Sequence, residues 1–170
     1  MSGFADFLIN HHVPMPVTST ECPELEDFYE GNVTSLCCNM SAWEGIVYIV
    51  QKLTSATGTA TATIESCSAY AGTNNTAVAF RYRYATTPDT FTAWADATSS
   101  GVPITAGADE VWEFAIASSD LYKGTATAPV NHEYVRIVLT ETESTAQDGC
   151  VTTILYGPKY GHEIPSTVMA

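Results

Sequence analysis

The side chains with the widest chemical range in this chain are four histidines, His11, His12, His132 and His162, five cysteines, and a run of carboxylates between Glu21 and Glu30. An imidazole beside a carboxylate can act as a general acid or base, and His132-Glu133 and His162-Glu163 contain both types. A catalytic dyad, however, needs convergent geometry within hydrogen-bond reach, which adjacency in a chain does not supply. No histidine is spaced as H-E-x-x-H. His11 and His12 have the chemistry to bind a metal at an oligomer axis, although two exposed arm histidines are the commoner explanation. The carboxylates Glu24, Glu26, Asp27 and Glu30 offer oxygen ligands to a hard cation, yet they lack the spacing and loop glycine of an EF-hand, so a solvated acidic face is expected.

Nucleophiles lead no further. The chain has no G-x-S-x-G elbow, and no cysteine lies in a recognisable Cys/His context. Cys22, Cys37, Cys38, Cys67 and Cys150 are odd in number and form no C-x-x-C pair, which argues against a zinc site. Adjacent Cys37 and Cys38 are poor partners for each other, whereas Cys67 and Cys150 fall in expected strands and approach if those strands pair or face each other. Reduced thiols serving as small apolar side chains are the favoured reading. The sequence therefore points away from an enzyme and assigns no catalytic residue, cofactor or metal ligand.

The elements around these residues are mostly strands. From Glu44 to Tyr160 about seven short segments of β type follow one another, separated by turn residues. In Val78-Ala-Phe-Arg-Tyr-Arg-Tyr84, Val78, Phe80, Tyr82 and Tyr84 fall on one face and Ala79, Arg81 and Arg83 on the other, as in a half-buried strand. Trp112, Phe114 and Ile116 align in the same way, as do Val135, Ile137 and Leu139. Gly45 to Val50 is apolar on both faces and reads as a central strand. Thr59 to Cys67, Phe91 to Ala97 and Cys150 to Tyr156 complete the set, while Ser99 to Pro103 reads as a break. The expected fold is all-β: a two-layer antiparallel β-sandwich, jelly-roll or Ig-like, spanning 43–160.

Residues 1–42 differ in character. His11-His12, Pro14, Pro16, Pro23 and the acidic cluster read as an extended N-terminal arm, and 161–170 as a C-terminal tail. The start lacks a basic n-region and a cleavage site, and no apolar run approaches the roughly 18 to 20 residues of a membrane-spanning helix. Synthesis in a cytoplasm is expected. Without a secretion signal, the glycosylation patterns at Asn32, Asn39 and Asn74 read as coincidence.

With 170 residues the chain can bury roughly 70% of its unfolded surface. Six basic residues against nineteen acidic ones give a formal charge of -13, which repels nucleic acid and anionic membranes alike. Trp43, Trp94 and Trp112 raise a sugar-stacking alternative, although most aromatic residues sit on faces the core claims first.

Three stretches, the Thr/Ala-rich strand near the start of the β region, Gly101-Val-Pro-Ile-Thr-Ala-Gly-Ala-Asp-Glu-Val111, and Tyr134-Val-Arg-Ile-Val-Leu-Thr140 through to Cys150-Val-Thr-Thr-Ile-Leu-Tyr-Gly-Pro-Lys-Tyr160, resemble auxiliary capsid proteins of tailed bacteriophages. The likeness covers residues 44–160. It implies a non-enzymatic virion component that decorates or cements the outside of a capsid, made in the host cytoplasm, with the major capsid protein as partner. A symmetric homo-oligomer such as a trimer is expected, with no direct contact to nucleic acid or membrane. Phe4, Phe7, Leu8 and Ile9 of the arm are the expected partner-binding residues. Alternatives are a neck or tail protein of the virion and a carbohydrate- or receptor-binding module.

Overall fold

In the computed structural model, residues 11–12, 32–52, 59–105, 107, 109–125, 130–143 and 149–159 are described. The strands in chain order are β1 (His11–His12), β2 (Val33–Thr34), β3 (Cys38–Asn39), β4 (Trp43–Lys52), β5 (Thr59–Cys67), β6 (Thr76–Val78), β7 (Phe80–Thr87), β8 (Thr90–Phe91), β9 (Ala95–Ala97), β10 (Val102–Ile104), β11 (Val111–Ala117), β12 (Tyr134–Glu143) and β13 (Gly149–Pro158). A 3-10 turn at Ser118–Asp120 follows β11.

Period-two alternation sorts these strands into two antiparallel sheets. The larger runs β1-β13-β4-β11-β7-β8, with β9 also on β7; the smaller runs β10-β5-β12-β2, with β6 on β5 and β3 on β12. Ile46, Tyr48 and Val50 of β4, Trp112, Phe114 and Ile116 of β11, and Val151 and Leu155 of β13 turn inward from the larger sheet. Ala60, Ala62 and Ile64 of β5 and Val135, Ile137 and Leu139 of β12 meet them from the smaller one. Small alanines on β5 make room for the large rings opposite, so the layers interdigitate. Trp112 stacks on Tyr84 at a centroid distance of 4.4 Å, and Phe114 meets Phe80 edge-on at 5.9 Å. The molecule is an all-β two-layer sandwich.

The pairing is nested. β4 pairs β13, β5 pairs β12 and β7 pairs β11, each antiparallel, so the chain is a long ribbon doubled back and rolled between two layers. That is the jelly-roll principle of winding. Four local features depart from the sequence reading, the first being that Phe91 to Ala97 is not one strand but β8 and β9, each paired separately with β7. The stretch from Val78 to Tyr84 is not one strand: β6 belongs to the smaller sheet and β7 to the larger, and the chain changes layers at Ala79. Val102–Ile104, expected as a break, is an edge strand on β5, where Pro103 is tolerated because an outer edge needs no amide donor from it. Residues 32–42, read as the base of the arm, belong to the sandwich: β2 and β3 pair β12, and Cys37, Cys38 and Met40 are buried. Their small and apolar side chains cover an edge of the core that β12 leaves open.

Candidate functional site

The outer face of the larger sheet carries the most varied surface chemistry. Register arranges it in rows. Tyr156, Gly45 and Ala117 lie side by side across β13, β4 and β11; Ile154, Val47, Ala115, Arg81 and Asp96 form the next row, and Thr152, Ile49, Glu113 and Arg83 the third. Small residues at Ala115 and Ala117 leave a dent in the middle of the sheet. A crevice of ≈ 370 Å³ results, floored by Val47 and Ala115, flanked by Trp94 and Tyr156, and edged by Arg81 and Asp120.

Its walls are held by the residues beside them. Arg83 lies between two rings, with its guanidinium carbon 4.5 Å from the centre of Phe91 and 4.7 Å from that of Trp94. Its Nε donates to Glu113 Oε2 at 2.6 Å, which fixes the guanidinium and so the indole against it. On the opposite wall the Tyr156 phenol packs directly over Gly45, where any side chain would collide with it. Burial, reinforced by Glu44 and Asp120, pushes the Tyr156 phenol above its ordinary range. The Arg81–Asp96 pair at 3.2 Å is highly exposed and adds polar groups rather than rigidity. Two aromatic flanks, an apolar floor and a rim of one cation and one anion suit a sugar ring or a protruding side chain of a partner.

The other chemically able residues are dispersed. His132 is buried, and its Nδ1 is 2.9 Å from Ser66 Oγ. Ser66 Oγ also accepts from the Tyr122 amide at 3.4 Å and lies 3.3 Å from the Thr76 carbonyl. This resembles a nucleophile and base, but Ser66 is fully buried, and its hydroxyl joins strands β5 and β6 to the loop before β12. Glu133 points to solvent, so the sequence pair His132-Glu133 does not converge. Among the described residues no group of three His, Cys, Asp or Glu is placed to hold a metal ion.

Cysteines are distributed differently from the sequence reading. Cys67 lies on the smaller sheet, where its sulfur is 3.9 Å from that of Cys37. Cys150 is on the larger sheet beside Gln51, with its Sγ 3.8 Å from Oε1, so Cys67 and Cys150 do not meet. Cys37, Cys38, Cys67 and Cys150 are free thiols.

One buried charge pair has no sequence signal. Lys52, fully enclosed at the end of β4, donates from Nζ to the Thr105 carbonyl at 2.5 Å and lies 3.4 Å from Glu110 Oε2, which also accepts from Trp112 Nε1 at 3.1 Å. Burial lowers the Lys52 ammonium below its ordinary range, and Glu110 opposes that shift.

Phe4, Phe7, Leu8 and Ile9, together with Cys22, the Glu24 to Glu30 carboxylates and His162, lie outside the described residues. His11 and His12 form β1 opposite Tyr156 and Leu155. Trp43 and Trp112 belong to the core, which leaves Trp94 as the tryptophan on the outer face. Sequence reasoning missed the crevice because it is made by the absence of side chains; the signal was the small outer set Ala115 and Ala117 within β11. No helix among the described residues is long and apolar enough to cross a membrane. Compared with known proteins, the chain matches no family model, no curated protein and no solved structure.

Proposed function

We propose that the protein is a non-enzymatic structural component of a bacteriophage virion that binds the outer surface of the capsid and stabilises the head lattice. The observation that carries this reading is the junction of β1 with β13: a segment close to the N-terminus already adds a strand to a sheet edge, the mode by which an arm engages a neighbouring subunit. The resemblance of residues 44–160 to decoration proteins supports it, as does the acidity of the chain, which suits a face turned away from packaged nucleic acid. The arm residues Phe4, Phe7, Leu8 and Ile9 would supply apolar contacts to the major capsid protein, and a symmetric oligomer would place several arms around one lattice junction.

The test is co-sedimentation of the purified protein with capsids stripped of accessory proteins, followed by heating of the loaded heads. Saturable binding at a fixed ratio to coat subunits, with better survival on heating, is the expected result. A chain lacking residues 1–10 retains β1 and should bind more weakly; undiminished binding would remove the arm from the mechanism. If the intact protein fails to bind heads and is found on purified tails, the neck or tail reading replaces this one.

A second reading rests on the crevice between Trp94 and Tyr156, which has the make-up of a carbohydrate- or receptor-binding site. Retention of a host polysaccharide on an array, lost in Trp94→Ala, would favour it.

A further inference from the structure

Cys37 stands just before β3 and Cys67 closes β5, with β12 between the two strands. Thirty residues apart in sequence, their sulfurs lie 3.9 Å from each other in a buried position. Arg136 of β12 donates from Nε to Glu65 Oε2 at 2.8 Å, Asn75 Nδ2 donates to the same oxygen at 2.8 Å, and the guanidinium lies against Gly72. Gly72 has φ 73°, and a side chain there would displace Arg136 and touch the Cys37 sulfur. The turn holding Gly72 is tied by its amide to the Ala69 carbonyl at 3.0 Å and by the Ser68 amide to the Thr73 carbonyl at 3.2 Å. A second thiol and a cation, the latter held by Glu65 and packed against the Gly72 turn, thus stand beside Cys37.

The two thiols are not equivalent. The contact with Cys67 draws the Cys37 thiol below its ordinary range, against the effect of burial and with the help of Arg136. The same contact and burial push the Cys67 thiol far up. Cys37, whose sulfur shares the space at Gly72 with the Arg136 guanidinium, is accordingly assigned as the attacking sulfur and Cys67 as the resolving one.

We propose that Cys37 and Cys67 are a peroxide-reactive pair, which a small hydroperoxide converts to an intramolecular disulfide that staples the segment before β3 to the end of β5. In the first step the Cys37 thiolate attacks one peroxide oxygen; the S–O bond forms, the O–O bond breaks and hydroxide leaves, giving Cys37 sulfenic acid. Cys67 then attacks that sulfur; the S–S bond forms, the S–O bond breaks and the oxygen departs as water. Two thiols and one hydrogen peroxide become one disulfide and two waters. The peroxide is reduced and the sulfurs are oxidised. Rotation about the Cα–Cβ bonds with a small backbone shift must bring the sulfurs to roughly 2.05 Å.

The experiment uses the full chain, fully reduced, freed of reductant and treated with one equivalent of hydrogen peroxide. Intact mass and non-reducing peptide mapping give the readout. The expected product is lighter by two hydrogens, with the peptide containing Cys37 and Cys38 joined to that containing Cys67, and its thermal midpoint is higher by roughly 5–10 °C. The bridge should persist in Cys38→Ala and disappear in Cys37→Ala. In Cys67→Ala the sulfenic acid at Cys37 has no resolving partner and should be captured by dimedone. An unchanged mass, oxygen addition without a cross-link, a bridge to Cys22 or Cys150, or a bridge that survives Cys37→Ala would each overturn the proposal. Mapping of the unmodified sequence decides the matter even where a variant folds poorly.

Discussion

A lysine enclosed by protein keeps its proton only if acceptors replace the water it has lost. Lys52 has two, the Thr105 carbonyl and Glu110, and Glu110 in turn is held by the Trp112 indole. Removing one partner leaves a buried charge without compensation, so Lys52→Met is expected to cost about 3–5 kcal/mol in urea unfolding. Adding Glu110→Gln removes the second charge while keeping an acceptor for Trp112 Nε1, and should recover most of that loss. The pH dependence has a definite sign. Because the folded ammonium titrates below the ordinary 10.5, the unfolded chain holds the proton more tightly between those two values, and stability from this group rises with pH across that window. Cys38 acts oppositely, since burial raises it from 9.0 to about 12 and its contribution falls as pH climbs through that range. The Lys52 effect is therefore read as the difference between the native chain and Lys52→Met, measured from neutral pH to 10.5; a flat difference would contradict the assignment.

At the level of elements, strands with strict alternation were legible and strands defined by context were not. Trp112, Phe114 and Ile116 announced the inward face of β11, and Val135, Ile137 and Leu139 that of β12, because period two with large apolar residues has one economical solution in a two-sheet fold. By contrast, Val78 and Phe80 obey one alternation yet serve different sheets, since nothing in their types marks the change of layer at Ala79. Pro103 argued for a break and sits in an edge strand. Cys37, Cys38 and Met40 carried too little pattern to reveal that they close the core. The crevice was illegible for a related reason, in that Ala115 and Ala117 act by what they omit. The interior position of β12 in the smaller sheet gives a direct check: Leu139, fully buried between the layers, should cost about 2–5 kcal/mol as Leu139→Ala, measured by chemical denaturation. The exposed Thr140 beside it should tolerate alanine within about 0.5 kcal/mol.

For the whole molecule, thirteen excess negative charges set the terms of any encounter. On the proposed function, a capsid partner must offer a basic or neutral face, and attraction over distances beyond the Debye length governs how fast the two meet. Raising salt from about 0.05 to 0.5 M should slow association with stripped capsids several-fold and leave dissociation nearly unchanged, as followed by surface-immobilised heads. A dissociation rate that rises in step with salt would place charged groups at the centre of the contact instead.

The nested pairing has a further consequence, for biosynthesis. β4 is made early in translation, but one of its two neighbours, β11, follows about sixty residues later and the other, β13, about a hundred. The ribosome thus presents an apolar strand that has no flank until β11 is made and lacks its second until β13 follows, and of the nested pairs the innermost, β7 with β11, is the first that can close. Folding should accordingly be a late event, proceeding from the inner ladder outward, and nascent chains stalled before residue 149 should remain sensitive to protease and dependent on chaperones, whereas chains that have cleared residue 158 should become resistant together rather than strand by strand.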